Sequence, residues 1–160
     1  MPSFVQFPEI PSWADDPQRG WIPVKSISQN VTLEITKFEK GRARQTNRAE
    51  VNELEFKKIF DRSSMFLYAF VSEGHLLSAV NFAFTREDEK EVYLKCELKN
   101  VYIAEHGVEV DDGSDPEESF KLNFESIDWK FRPKNKAGKL GDWLHVAFNR
   151  QDHSVTTRPG

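Results

Sequence analysis

The sequence has little of what disulfide and metal chemistry requires. It contains one cysteine, Cys96, in 160 residues, and its four histidines lie far apart along the chain. One cysteine can form neither an internal disulfide nor a cysteine-based zinc site, and no two histidines have the helical spacing of a metal site. We expect no metal or other cofactor, and we interpret Cys96, at an apolar position of a predicted strand, as a small buried side chain.

Long apolar runs and an excess of basic charge are missing as well. No segment approaches the roughly 20 apolar residues of a membrane helix, and the first residues lack the basic start and apolar stretch of a signal peptide. Lys and Arg are scattered among acidic residues, and the formal net charge is −4. We therefore expect no membrane insertion and no nucleic-acid partner, and we expect the chain to be made in the cytoplasm.

Catalytic motifs are also missing. The sequence has no Gly-x-Ser-x-Gly elbow to present a nucleophile, and its isolated glycines form no phosphate-binding loop. A hydrolase that uses His145 with a distant acid is the remaining enzymatic alternative, and no motif supports it. The sequence favours a protein that is not an enzyme.

What is present is the composition of one globular domain. Hydrophobic residues make up 38% of the chain and charged residues 30%, and the 13 phenylalanines are the commonest aromatic residues. We expect a single domain over residues 1–160 with a core rich in phenylalanine. The last residues, 149–160, are predicted to form a flexible C-terminal tail.

Alternation of apolar and polar residues predicts strands. It is found over residues 27–36, 92–98 and 120–124. In the last two segments the apolar set then changes parity, at Val101 and at Ile127, which indicates a β-bulge near Asn100 and a curved sheet. Shorter strands are predicted at residues 4–7, 51–57, 77–86 and 143–148. The fold class is therefore mainly antiparallel β.

One helix is predicted between these strands. Asp61 or Ser63 can cap its start, residues 65–71 form its body, and Gly74 can end it. The body is apolar nearly all round, so it cannot lie on a solvated surface and must be covered on several sides. Its cover is either the core of the same chain or a second subunit, and both alternatives stay open.

Three polar or proline-rich segments are predicted to be loops. Residues 8–20 carry three prolines and should project, with Trp13 either a contact with a partner or part of the core. Residues 37–48 are rich in Lys, Arg, Gln and Asn, and residues 105–118 are acidic. The acidic segment is interpreted as a solvated hairpin, with a hard cation held by its carboxylates over residues 109–118 as the less favoured alternative.

The order and spacing of these features resemble the haemolysin-coregulated protein (Hcp) family, the tube-forming proteins of bacterial type VI secretion systems. The resemblance covers nearly the whole chain, and it rests on an ordered series of short segments. These are Phe4-Val5-Gln6-Phe7, Gly20-Trp21-Ile22-Pro23-Val24, Ser26-Ile27-Ser28, Leu54-Glu55-Phe56-Lys57-Lys58, Asp61-Arg62-Ser63-Ser64, Phe120-Lys121-Leu122-Asn123-Phe124 and Ile127-Asp128-Trp129.

The resemblance implies both a fold and a function. The fold would be an Hcp-like β-barrel of two antiparallel sheets with one flanking α-helix. The protein would form hexameric rings that stack into a secreted tube, with spike, sheath and effector proteins as partners. Contacts within and between rings would involve residues of the projecting loop and of the helix, namely Trp13, Ala14, Asp15, Asp16, Met65, Phe66 and Tyr68. The alternative is a monomeric β-barrel that binds an apolar small ligand.

Overall fold

A computed structural model describes residues 3–10, 20–35, 49–86 and 91–159 of the chain. These residues form eleven strands and one helix. In chain order they are β1 Ser3–Gln6, β2 Trp21–Val24, β3 Ser26–Ser28, β4 Val31–Thr32, β5 Glu50–Val51, β6 Leu54–Ile59, α1 Ser63–Glu73, β7 Leu77–Thr85, β8 Val92–Glu109, β9 Glu117–Phe131, β10 Leu144–Asn149 and β11 Val155–Pro159. The predicted mainly antiparallel β-fold with one helix is confirmed.

Nine of the strands form one antiparallel sheet, in which β9 is the central element. The path of neighbours runs β11-β10-β9-β8-β7-β1-β2, and β6 pairs with both β3 and β9. One edge of β9 pairs with β8 along its length. The other edge is divided between two partners, because β6 pairs with residues 117–122 and β10 pairs with residues 126–131. β9 therefore has two halves with different neighbours.

The described strands of the large sheet do not close into a barrel, which corrects that part of the expected fold. Where closure would require one strand with partners on both edges, the chain uses two short strands separated by Lys25: β2 pairs with β1, and β3 pairs with β6. Strands β4 and β5 form a separate two-stranded sheet. The two antiparallel sheets of the prediction are present, and the larger one is open.

The core lies against the inward face of the sheet and is rich in phenylalanine, as predicted. Phe56 on β6 stacks on Phe120 on β9, with ring centroids 4.6 Å apart, and meets the ring of Phe82 edge-on at 5.6 Å. These strands follow the alternating pattern, so every second side chain enters the core. Cys96 is a free, buried cysteine, which confirms its interpretation as a small core residue.

The change of parity predicted near Asn100 is present, and it occurs in two strands at once. On β8 the buried residues Cys96 and Leu98 are followed by Val101, and Asn100 has a positive φ of 52°. The pairing register with β9 is the same on both sides of Asn100, because β9 changes parity at the facing position. The register shift typical of a bulge lies further along, between Ile103 and Glu105. The structure thus moves the predicted bulge by a few residues.

Three predicted segments differ from the structure. Residues 105–118, predicted to be a loop, connect strands only over residues 110–116, because β8 continues to Glu109 and β9 begins at Glu117. Residues 27–36 do not form one half-buried strand, since the described part is divided into β3 and β4, and Val31, Leu33 and Ile35 are exposed. The prediction of a flexible tail over residues 149–160 is wrong for Val155–Pro159, which pairs in register with β10. Backbone hydrogen bonds to β10 hold this segment although it has few apolar residues.

Candidate assembly surface

The predicted contact residues on the helix are partly exposed. Met65 is 58% exposed and Tyr68 59% exposed, whereas Phe66 is half-buried. The helix ends at Gly74, which has a φ of 64° in the left-handed region, so the predicted end is confirmed. At its start Asp61 Oδ1 accepts a hydrogen bond from the Ser63 backbone N–H at 2.9 Å. The predicted capping role of Asp61 is therefore present, although Arg62 occupies the N-cap position.

The other predicted contact residues, Trp13, Ala14, Asp15 and Asp16, lie outside the described residues. The same is true of most of the projecting loop at 8–20 and of the polar segment at 37–48. Their contribution to an interface stays a prediction.

A second apolar surface, not found by the sequence analysis, lies on β9, β10 and β11. Leu144, Val146 and Val155 are 53%, 47% and 63% exposed, and Phe131 is 39% exposed. Leu144 pairs with Phe131 and Val146 with Trp129, so their side chains share one face with the core residue Ile127. We call this surface, made by Phe131, Leu144, Val146 and Val155, the open apolar face. It continues the core face of the sheet beyond the part that other elements cover.

A buried polar network holds the start of the helix against the sheet. Lys58 and Glu118 are fully buried and face each other on β6 and β9, with Lys58 Nζ 2.6 Å from Glu118 Oε2. Ser64 Oγ donates a hydrogen bond to the same carboxylate oxygen at 2.5 Å. His106 Nε2 lies 2.8 Å from Glu118 Oε1. We call these four residues, with Asp61, the Lys58 network.

The Lys58 network satisfies the polar atoms that the fold buries there. Besides Glu118, Lys58 Nζ contacts Asp61 Oδ1 and Ser64 Oγ, each at 3.0 Å. A buried charge without such partners would be strongly unfavourable. The His106 ring also packs edge-on against Tyr68, with centroids 5.6 Å apart, so the network reaches the exposed side of the helix.

Strand periodicity places one charged residue at an inward position in each of two strands, and this pattern is a sequence signal for the network. Leu54 and Phe56 are inward residues of β6, and the next inward position is Lys58. On β9 Glu118 comes two residues before the inward Phe120. Opposite charges at consecutive core positions of two neighbouring strands indicate a buried pair, once the strands are known to be neighbours.

Cys96 and His145, the latter considered above for a hydrolase, are both buried. Burial raises the pKa of the Cys96 thiol well above its ordinary range, and the charges of Asp128 and Glu97 act in the same direction. A thiol kept protonated is a poor nucleophile. Nε2 of His145 contacts Oδ1 of Asp128 on the neighbouring strand. This contact ties β10 to β9.

The acidic segment carries ion pairs with the protein's own lysines. Lys25 Nζ lies 2.6 Å from Glu117 Oε2, and this contact lowers the pKa of Glu117. Within the described ranges no group of three or more His, Cys, Asp or Glu side chains is arranged to hold a metal ion. Among the described residues no helix is both long and apolar enough to cross a membrane.

A cavity of about 260 Å³ lies beside β3, β6 and β9, and it bears on the ligand-binding alternative. Its lining includes charged side chains such as Glu55, Glu105 and Lys121. Pockets for drug-sized apolar ligands are about 300–1,000 Å³ and mostly apolar. The cavity is smaller than these pockets, and its lining is partly charged.

Comparison with known proteins identifies the class of protein that shares this fold. Among solved structures, one of a type six secretion system protein has a TM-score of 0.87 at 16% identity, covering 97% of this chain and 99% of its own. Hcp1 from Salmonella typhimurium has a TM-score of 0.75 at 16% identity, with 97% and 98% covered. Hcp1 from E. coli EAEC 042 has a TM-score of 0.63 at 22% identity, with 93% and 99% covered.

The family follows from the sequence comparison. The model of the family described as "Type VI secretion system effector, Hcp" matches residues 12–131, which is most of the chain. No curated protein matches the chain. The chain belongs to the Hcp family of type VI secretion system proteins, as the sequence resemblance predicted.

Proposed function

We propose that this protein is the ring subunit of a type VI secretion tube. In this proposal six copies form a closed ring, and the rings stack into a tube. The observation that carries the proposal is the presence of two uncovered apolar surfaces at different places on one Hcp-family chain. One is the outer side of α1 with Met65 and Tyr68, which we call the α1 surface, and the other is the open apolar face.

Two different surfaces are what a closed ring requires. A head-to-tail contact joins one surface of a subunit to a different surface of the next, and it closes when the rotation per subunit fits a whole number of copies. Exposed apolar patches of this kind mark interaction sites because their burial is favourable. Phe66 would contribute at the edge of the α1 surface, since it is half-buried in the single chain.

Contacts between rings are proposed for residues Trp13, Ala14, Asp15 and Asp16. The support is the composition of their segment, which is too rich in proline for a strand and carries a tryptophan, a residue enriched at interfaces. In Trp13→Ala we expect weaker stacking of rings with an unchanged fold.

The proposed route and partners follow from the family. The subunit would be made in the bacterial cytoplasm and secreted as part of the tube without a cleaved signal peptide. Spike and sheath components would contact the assembled tube, and its channel would carry effector proteins. In this role the protein acts by association and not by catalysis.

Size-exclusion chromatography with light scattering tests the proposal directly. We expect a species with six times the mass of the chain at micromolar concentration. Electron microscopy of the same fraction should show rings with an open centre. A protein that stays monomeric at the highest soluble concentration contradicts the ring function.

A further inference from the structure

The attachment of α1 to the sheet is unusually polar. The buried residues of this helix are Ser63, Ser64 and Leu67, so two of the three are serines. Phe70 and Val71 are only partly buried. Since apolar burial supplies most of the free energy that docks a helix, α1 has a weak apolar anchor. Its position depends to a large extent on hydrogen bonds and charge.

The hydrogen bonds in question converge on the first turn of the helix. Ser64 Oγ accepts from Lys58 Nζ at 3.0 Å and from the Asp61 backbone N–H at 2.9 Å, and it donates to Glu118 at 2.5 Å. Ser64, in the first turn, therefore joins the helix directly to the ion pair of β6 and β9. His106 extends the same network along β8 to the ring of Tyr68.

We propose that the Lys58 network is a positioning device that sets the place of α1, and thereby makes the α1 surface competent for assembly. This inference rests on the proposed ring function. The network holds the start of α1 through Ser64 and supports Tyr68 through His106. The sheet itself is held by ladder hydrogen bonds between β6, β8 and β9, which do not depend on the network. Loss of the network would displace α1 and leave the sheet paired.

The charged residues of the network allow the position of α1 to be changed without unpairing the sheet, which can be tested. Lys58, Asp61 and Glu118 are its charged members, and His106 is the titratable group next to Glu118. Replacement of both members of a buried ion pair by apolar residues is often tolerated by a fold, whereas removal of one member leaves an unpaired charge. The double variant Lys58→Met with Glu118→Leu therefore removes the hydrogen-bond partners of Ser64 and fills the same space with apolar side chains of similar volume.

The same two strands provide a matched control. Glu55 pairs with Lys121 in the β6–β9 ladder, with the side chains on the solvent side and Lys121 Nζ 3.7 Å from Glu55 Oε1. The control variant Glu55→Leu with Lys121→Met removes this exposed ion pair and that of Lys121 with Glu105 on β8, and it leaves the residues of α1 unchanged. It changes the net charge in the same way as the test variant.

Hydrogen exchange and sedimentation together provide the test. In Lys58→Met with Glu118→Leu we expect amide exchange in α1 to become at least tenfold faster, while exchange in β8 and β9 stays near the wild-type rate. Ring formation should require at least a tenfold higher protein concentration. The control variant should match the wild type in both measurements.

Each outcome has a definite meaning. Wild-type exchange in α1 and wild-type ring formation in the test variant overturn the proposal. If the wild type itself forms no ring, the proposed function fails, and the exchange data still decide whether the network positions α1. If the double variant does not fold, Ser64→Ala takes its place, because it removes only the hydroxyl that joins α1 to Glu118. Unchanged exchange in α1 of Ser64→Ala would then contradict the proposal.

Discussion

The two halves of β9 alternate in the same way, but their inward side chains are buried in one half and become exposed in the other. In the first half, residues 117–124, the inward side chains Phe120, Leu122 and Phe124 are buried. In the second half, residues 126–131, the same face passes from the buried Ile127 to the exposed Phe131. The neighbours of the two halves differ. The first half pairs with β6, whereas the second half pairs with β10, which in turn pairs with β11. An apolar stripe therefore specifies which face of a strand should be buried, but it does not specify which element buries it.

The largest contrast between the halves is expected for phenylalanine truncation. Phe120→Ala removes a ring stacked on Phe56, and we expect a loss of about 3–5 kcal/mol in the free energy of unfolding. Phe131→Ala in the open half should cost less than about 1 kcal/mol in the monomer, because surface substitutions have small effects. Urea unfolding at a protein concentration that favours the monomer measures both values. Equal losses of unfolding free energy in the two variants would show that Phe131 is covered within the chain.

A nearly equal contrast is expected for two lysines at the β6–β9 pairing, the buried Lys58 on β6 and the exposed Lys121 on β9. Lys58→Met leaves Glu118 buried without its cation and should lower the free energy of unfolding by about 3–5 kcal/mol. Lys121→Met removes exposed ion pairs with Glu55 and Glu105 and should lower it by less than about 1 kcal/mol. Thermal and urea unfolding of the two variants provide the measurement. Similar stabilities of the two variants would contradict a buried ion pair.

A substitution on the open apolar face should change the stability of the monomer little but weaken its association. Leu144→Glu places a charge on the open apolar face, which would be buried in a ring, so we expect at least tenfold weaker association, or about 1.4 kcal/mol. The unfolding midpoint of the monomer should stay within experimental error. Lys99→Gln is the control, because it changes the net charge equally at an exposed site on β8. Rings of wild-type stability in Leu144→Glu would exclude the open apolar face as a ring contact.

The smallest effect is expected at the exposed start of β9. The hydrogen bond from Lys25 lowers the pKa of Glu117, so this pair stabilises the fold above the ordinary carboxyl pKa and loses that contribution as the pH falls through the folded-state pKa. In Lys25→Met the pKa of Glu117 should rise toward its ordinary value. NMR titration of the Glu117 side chain gives the answer, and an unchanged pKa would show that Lys25 is not the cause.

Much of the fold could be predicted from local signals. The alternation over residues 120–124 gave the inward face of β9, and Gly74 was correctly placed at the end of α1. The open sheet could not be predicted, because closure depends on which short strand pairs with which edge. The tail prediction failed at Val155–Pro159 for a related reason, since that strand is held by backbone pairing with β10, which leaves no mark in side-chain hydropathy.

The candidate site was predicted less completely. Met65 and Tyr68 were expected as contacts from the resemblance to the Hcp family; the structure leaves both exposed, and their role as contacts stays a prediction. The Lys58 network was missed because Lys58 and Glu118 are 60 positions apart and each looks like an ordinary surface charge. Only the register of β6 with β9 brings them into one buried pair.

The alternation of the strands, the end of the helix at Gly74 and the family of the chain can be read from the sequence alone. These properties depend on neighbours along the chain or on ordered segments, and both can be read without coordinates. The tertiary structure alone decided that the described strands leave the sheet open, that Lys58 meets Glu118, and that Leu144 and its neighbours on the open apolar face are exposed. Each of these depends on contacts between residues far apart in sequence, and only the folded chain brings such residues together.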